Sequence, residues 1–318
     1  MSIASLVSTI ATLALMLIIG FIGGMLGYID DISTERLSTL IVKIGQPFLI
    51  INSLISLDFT AENLKTGLKI LLLGLCMPAV MAAIAYLLAR PVKPFDERKL
   101  SEYSMFFANC GFVGFPIVES IYGAEGLFYG AFFIVSFHLF VWTWGIMILA
   151  RKRDDIKVTP KKILFNFGTM PCAIGFLIFI SNIPLPDFAY DLAGYLAAIC
   201  TPISLIISGA NIARRSLKKM FTNRNVYYVC FVKLVAMPFL MATLLWAIGL
   251  PEYMIVFGGI MAAMPCPAVV TMFGELYKIS PGYAAELVGA STVFSVITIL
   301  PMVSYASLLA ACPLSAII

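Results

Sequence analysis

The chain has 318 residues, 61% of them hydrophobic and 12% charged, with a formal net charge of +4 and a mean hydropathy of +1.00. Ordinary soluble domains are about 25% charged and about half apolar. This composition excludes a soluble enzyme and a nucleic-acid-binding domain.

A membrane-spanning helix needs ~20 mostly apolar residues. About ten such runs follow one another, near residues 5–28, 37–57, 67–89, 102–121, 126–150, 162–181, 190–211, 226–248, 252–274 and 283–310. They predict an all-α polytopic protein of ten transmembrane helices in a lipid bilayer. The loops are too short to hold a soluble domain, so residues 1–318 read as one membrane domain. Met1 to Gly27 lacks a positive leader and a small-residue cleavage site, and reads as a retained first helix. Within it Gly20, Gly23, Gly24 and Gly27 form two overlapping GxxxG patterns. These allow close helix contact, either inside the chain or across a homodimer.

Run two carries Gln46-Pro47, Lys43, Asn52 and Ser53; Asn52 is a candidate for the wall of a binding cavity. Run four is interrupted by Asn109-Cys110-Gly111-Phe112-Val113-Gly114-Phe115-Pro116, and Glu119 lies a turn further on. Run five holds His138, the single histidine. Run seven has Thr201-Pro202, Ser204, Ser208 and Asn211, and run eight has Lys233. Run nine is broken by Met264-Pro265-Cys266-Pro267.

Two such breaks in mid-bilayer need an explanation. Proline removes a backbone donor and clashes with the preceding turn. In hydrocarbon each freed polar group costs several kcal/mol unless protein or a water-filled cavity satisfies it. Paired interruptions of this kind mark the binding sites of secondary transporters. Half-helix N-termini present free N–H groups and a positive dipole end, which suits an anion, a carboxylate above all. The substrate-binding candidates are therefore Asn109, Cys110, Gly111, Gly114, Pro116, Pro265, Cys266, Pro267 and Asn52. Ionisable groups inside a membrane are functional candidates by default. Glu119 and His138 are candidates for proton coupling, and Lys233 for a counter-charge to an anion.

Basic residues gather in alternate loops: Arg90, Lys93, Arg98 and Lys99; Arg151, Lys152, Arg153, Lys157, Lys161 and Lys162; Arg214, Arg215, Lys218, Lys219 and Arg224. The positive-inside rule makes these loops cytoplasmic and puts both termini outside. The most basic linker, 151–161, divides the chain into repeats of approximately 1–150 and 160–318. Gln46-Pro47 answers Thr201-Pro202, Pro78 answers Pro238, and Glu102-Tyr103 answers Glu252-Tyr253. Five helices per half is an odd number, so the repeat is inverted, and helices four and nine can cross where each is broken. The seven cysteines show no metal-binding spacing, and most of them read as small buried side chains.

The stretch Asn109 to Pro116 with Tyr122-Gly123 resembles the N-x-G-x-x-G-x-P signature of the auxin efflux carrier family. Pro202, Gly209, Met264-Pro265, Glu275-Leu276-Tyr277 and Ser295 to Pro301 resemble further landmarks of that family, so the likeness covers nearly the whole chain. It implies the five-plus-five inverted repeat with crossed helices four and nine. It also implies a scaffold of helices one, two, six and seven, a mobile unit of the other six, and no ATP or prosthetic group. The long hydrophilic loop of the plant carriers is missing here, and Cys266-Pro267 departs from the small or hydroxyl residues common there. The expectation is a secondary carrier in the cell membrane, a permease for a small organic anion such as a dicarboxylate, and not an enzyme. The alternative is a receptor or channel-like protein on the same fold.

Overall fold

The computed structural model describes residues 3–55, 60–153, 169–214, 220 and 222–312, and every regular element among them is helical. The helices are α1 (Ile3–Met25), α2 (Asp31–Ile55), α3 (Ala61–Leu88), α4 (Phe95–Phe106), α5 (Phe115–Tyr122) and α6 (Ala124–Ala150). After the linker come α7 (Thr169–Ser181), α8 (Asp187–Arg214), α9 (Arg224–Ala247), α10 (Glu252–Ala263), α11 (Val269–Leu276) and α12 (Pro281–Ala311). Most of the 151–161 linker lies outside the described residues.

Eight helical runs are long and apolar enough to cross a membrane, the interrupted run Phe95–Tyr122 among them. This is fewer than the ten runs read from the sequence, for two physical reasons. Pro265 and Pro267 divide the ninth run into helices of 12 and 8 residues, each shorter than a bilayer. The sixth run is described only over the 13 residues of α7.

Leu15, Ile19, Leu72, Leu177 and Ile297 are exposed, as they are on a protein whose surrounding solvent is hydrocarbon. The interior is a continuous cluster of Ile, Leu, Phe and Met side chains with small residues at close contacts. The most extensive helix packing among the described residues is α1 against α8. A Cβ on Gly20 would fall on the Ile206 carbonyl, one on Gly24 on Ala210, and one on Gly209 on the Leu17 carbonyl. The glycine pattern of the first run is thus used within the chain. α7 packs on α2, α3 on α6, and α9, α10 and α11 on α12.

Prolines set the local irregularities. Pro47, Pro116 and Pro238 each stand two residues beyond a wide π turn: Ile41–Gly45, Cys110–Gly114 and Val232–Ala236. The ring clashes with the carbonyl four residues back, and the preceding turn opens to relieve it. A fourth π turn, Val141–Gly145, ends where the Tyr103 and Phe107 rings press on Gly145. The prolines read as repeat partners differ in this respect. α3 runs through Pro78 as one α-helix, whereas α9 widens before Pro238.

Candidate functional site

The two breaks meet. α4 ends at Phe106, the chain extends through Phe107, and Asn109 starts the turn that leads into α5. α10 ends at Ala263, Met264 is extended, and α11 begins at Val269. The Asn109 N–H donates to the Pro265 carbonyl at 2.8 Å. The Cys266 thiol donates to the Ser104 carbonyl at 3.8 Å, and a Cβ on Gly114 would stand 3.4 Å from Met261 Sδ and Met264 Cγ. Four half-helix ends therefore converge: the C-terminal ends of α4 and α10, and the N-terminal ends of the turn before α5 and of α11.

Each end has unpaired backbone groups. The C-terminal ends are met by donors. Lys233 Nζ donates to the Ala262 carbonyl at 3.2 Å, and the Cys266 thiol serves the last turn of α4. The N-terminal ends are met only by neutral groups. The Asn109 Oδ1 accepts from the Phe112 N–H at 3.4 Å, and Ser291 Oγ accepts from the Cys266 N–H at 3.1 Å. Asn109 is buried, and its amide nitrogen has no hydrogen-bond partner among the described residues.

Lys233 is fully buried, at 0% exposure, in the π turn before Pro238. The Cys110 and Cys266 thiols, one from each break, interact with it electrostatically. It forms no ion pair among the described residues. An isolated buried cation is costly unless something compensates it, and the partial negative charge at the end of α10 compensates it in part.

The other candidates are dispersed. Gly111 would place a Cβ 3.5 Å from Ile134 Cδ1, ordinary contact, so steric need does not explain its lack of a side chain. Asn52 faces Gly194 of α8, 3.9 Å from a Cβ there. Glu119 is exposed near the far end of α5. His138 is buried and its Nε2 lies 2.9 Å from Gln46 Nε2, joining α6 to α2, while its Nδ1 has no partner among the described residues. Asn211 accepts from Arg214 Nη2 at 2.7 Å and holds the end of α8. The structure thus brings Lys233 to the breaks and leaves Glu119 apart from them.

Sequence reasoning missed Ser291 and Ser104. Ser291 is the first of three hydroxyl residues, with Thr292 and Ser295, on the buried face of α12. That polar spacing in an apolar helix was the available signal. Ser104 acts through its carbonyl, which no side-chain pattern announces.

The opposite ends of the broken helices are chemically distinct. Along α4, Lys99 pairs with Asp96 at 2.8 Å and Glu102 receives both Arg151 guanidinium nitrogens at 2.5 and 2.8 Å, while Arg153 reaches the Tyr277 carbonyl. Near the end of α5, aromatic rings gather: Tyr129 lies 5.7 Å from Tyr253 and 6.1 Å from Tyr122.

The sequence profile of the membrane transport protein family matches residues 5–303, which include both breaks. An uncharacterized transporter of Methanothermobacter thermautotrophicus is 21% identical over 293 residues, covering 92% of this chain and 95% of its own. The uncharacterized transporter MJ1031 of Methanocaldococcus jannaschii is 22% identical over 296 residues, covering 90% of this chain and 94% of its own.

Proposed function

The chain belongs to the membrane transport protein family, that of the auxin efflux carriers, and from that premise we propose that it is a secondary carrier for a small organic anion. The observation that carries this reading is Lys233: a buried cation at the meeting point of two helix breaks, with no carboxylate to pair with among the described residues. Two half-helix N-termini at the same point add partial positive charge and free N–H groups. The protein supplies donors to the C-terminal ends and no anion to the N-terminal ends. A cargo carboxylate completes that balance, held by Lys233 Nζ, the Asn109 amide and the N–H groups at the start of the turn after Asn109 and of α11. Gly111, Gly114, Pro116, Pro265 and Pro267 shape the backbone of the site.

In this reading the chain spans the membrane ten times as an inverted repeat of approximately 1–150 and 160–318, one domain with no separate soluble part. The basic end that holds Arg151 and Lys99 is cytoplasmic, by the positive-inside rule, and both termini are outside. α1, α2, α7 and α8 form the scaffold, and the remaining helices move against it. Cargo enters between the two sets and alternately faces either side. Asn52 lies on the scaffold side, away from the carboxylate.

The test is uptake of radiolabelled malate, malonate, succinate and an aromatic carboxylate into proteoliposomes, with pH gradient and potential imposed separately. Saturable flux of one of these anions, reduced at least tenfold in Asn109→Ala, supports the carrier. Saturable binding without flux in folded protein would instead mark a receptor.

A further inference from the structure

We propose that the cargo is a monovalent carboxylate, and that the membrane potential acts on the return of the empty carrier rather than on the passage of the loaded one. This rests on the carrier reading above and adds a count of charge to it.

Three charged side chains are buried among the described residues: Lys99, Glu102 and Lys233. Lys99 is neutralised by Asp96 at 2.8 Å and Glu102 by Arg151, both pairs formed by α4 residues. Lys233 has no carboxylate within 4.0 Å among the described residues. An ammonium has three donors, and one is used, on the Ala262 carbonyl. The groups of the two breaks that interact with it electrostatically are the neutral Cys110 and Cys266 thiols. The crossing therefore holds one elementary charge with no carboxylate to balance it among the described residues, and two unused donors.

One carboxylate neutralises that charge and accepts those donors. A second carboxylate on the same molecule would leave the site with a net negative charge and no further buried cation among the described residues to meet it. Transfer of an unpaired ion into such surroundings is strongly unfavourable. A single lysine thus favours a single negative charge on the cargo.

The same count fixes which step moves charge. With α4, α5, α9, α10 and α11 moving together, the site carries about one positive charge when empty and none when a monovalent anion is bound. An elementary charge crossing 100 mV shifts an equilibrium by about 50-fold. The empty return feels that field, and the loaded passage does not. One-for-one exchange uses only loaded passages, so it is insensitive to potential. Net flux requires the empty return and is sensitive.

The experiment uses full-length protein in liposomes, with labelled lactate as the monovalent probe and labelled malate as the divalent one. Potassium diffusion potentials of zero and about 100 mV are set with valinomycin, and protein-free vesicles give the leak. The expected result is lactate exchange unchanged within twofold by the potential and net lactate flux changed about fivefold or more. Malate exchange should run at under about a tenth of the lactate rate. Lys233→Gln should transfer the potential dependence to exchange, since its loaded form is negative and its empty form neutral. Lys233→Arg, which keeps the charge, should keep the original pattern. If Lys233→Gln does not fold, the comparison of exchange with net flux in the unaltered protein still decides. Lactate exchange as steeply potential-dependent as net flux, or malate exchanged faster than lactate, overturns this inference and leaves the carrier standing. No flux of lactate, malate, malonate, succinate or an aromatic carboxylate through folded protein overturns both.

Discussion

The backbone N–H of Asn109 donates to the carbonyl of Pro265 at 2.8 Å, so each helix break supplies what the other lacks. The Pro265 carbonyl is left over because the chain beyond it cannot continue as a helix through Pro267. The Asn109 N–H is left over because α4 ends three residues earlier, at Phe106. In an apolar interior two such orphans would each cost several kcal/mol. Paired, they fix the geometry of four helix ends around Lys233.

Substitutions at Asn109 separate this backbone bond from the side chain. Asn109→Ala keeps the bond and loses both the cap on Phe112 and the free amide donor. We expect folded protein with transport reduced at least tenfold. Asn109→Asp places a negative charge among the donors meant for cargo, so anion affinity should fall further than in Asn109→Ala. Binding isotherms of both variants for the transported anion would check this; equal affinities would count against an anion site here.

Ser291 supports the second break by accepting from the Cys266 N–H at 3.1 Å, fully out of contact with solvent. Ser291→Ala strands that N–H. The expected loss of stability is about 1–3 kcal/mol, the usual cost of a buried unsatisfied donor. Thermal unfolding in detergent would show it, and an unchanged midpoint would mean that the Cys266 N–H has another acceptor.

The pair Glu102–Arg151 predicts an asymmetry. Glu102 is 2% exposed and Arg151 33%. Arg151→Met strands a buried carboxylate, an expected cost of about 3–5 kcal/mol. Glu102→Gln strands only a guanidinium that already reaches solvent, so its cost should be clearly smaller. Adding Glu102→Gln to Arg151→Met should recover stability. Three thermal midpoints suffice to test this, and equal losses in the two single variants would contradict it.

Gly209 lies where the α1 backbone leaves no space, on the Leu17 carbonyl and Phe21 N–H. Gly209→Leu must push α1 and α8 apart, with an expected cost of about 1–3 kcal/mol or more. Gly111→Ala meets only a flexible isoleucine end and should be tolerated in stability. A ranking of the two by thermal midpoint tests whether the tight seam is at α1–α8.

How much of this was legible beforehand depends on which atoms carry the message. The breaks were readable because proline and glycine act through the backbone wherever they stand, and Asn109 to Pro116 and Met264 to Pro267 are dense in them. The glycine pattern from Gly20 announced a close contact but not its partner, since small residues record only that something approaches. The π turns were not foreseen. Ile41–Gly45 and Val232–Ala236 read as ordinary apolar helix, and the cause lies two residues beyond, in Pro47 and Pro238. Lys233 was visible as a charge in an apolar run, yet its place beside Ala262 depends on the α9 turn that precedes Pro238. Glu119 and His138 looked equally promising by composition. Only packing shows Glu119 exposed and His138 engaged with Gln46.

The most direct measurement of the central claim is a structure of the purified carrier with its transported anion bound, the anion being chosen from the flux panel. The account predicts carboxylate density within hydrogen-bond distance of Lys233 Nζ and the Asn109 amide, between the ends of α10 and α5. Density for the same anion elsewhere, with Lys233 still donating to Ala262 and its other donors unmet, would contradict it.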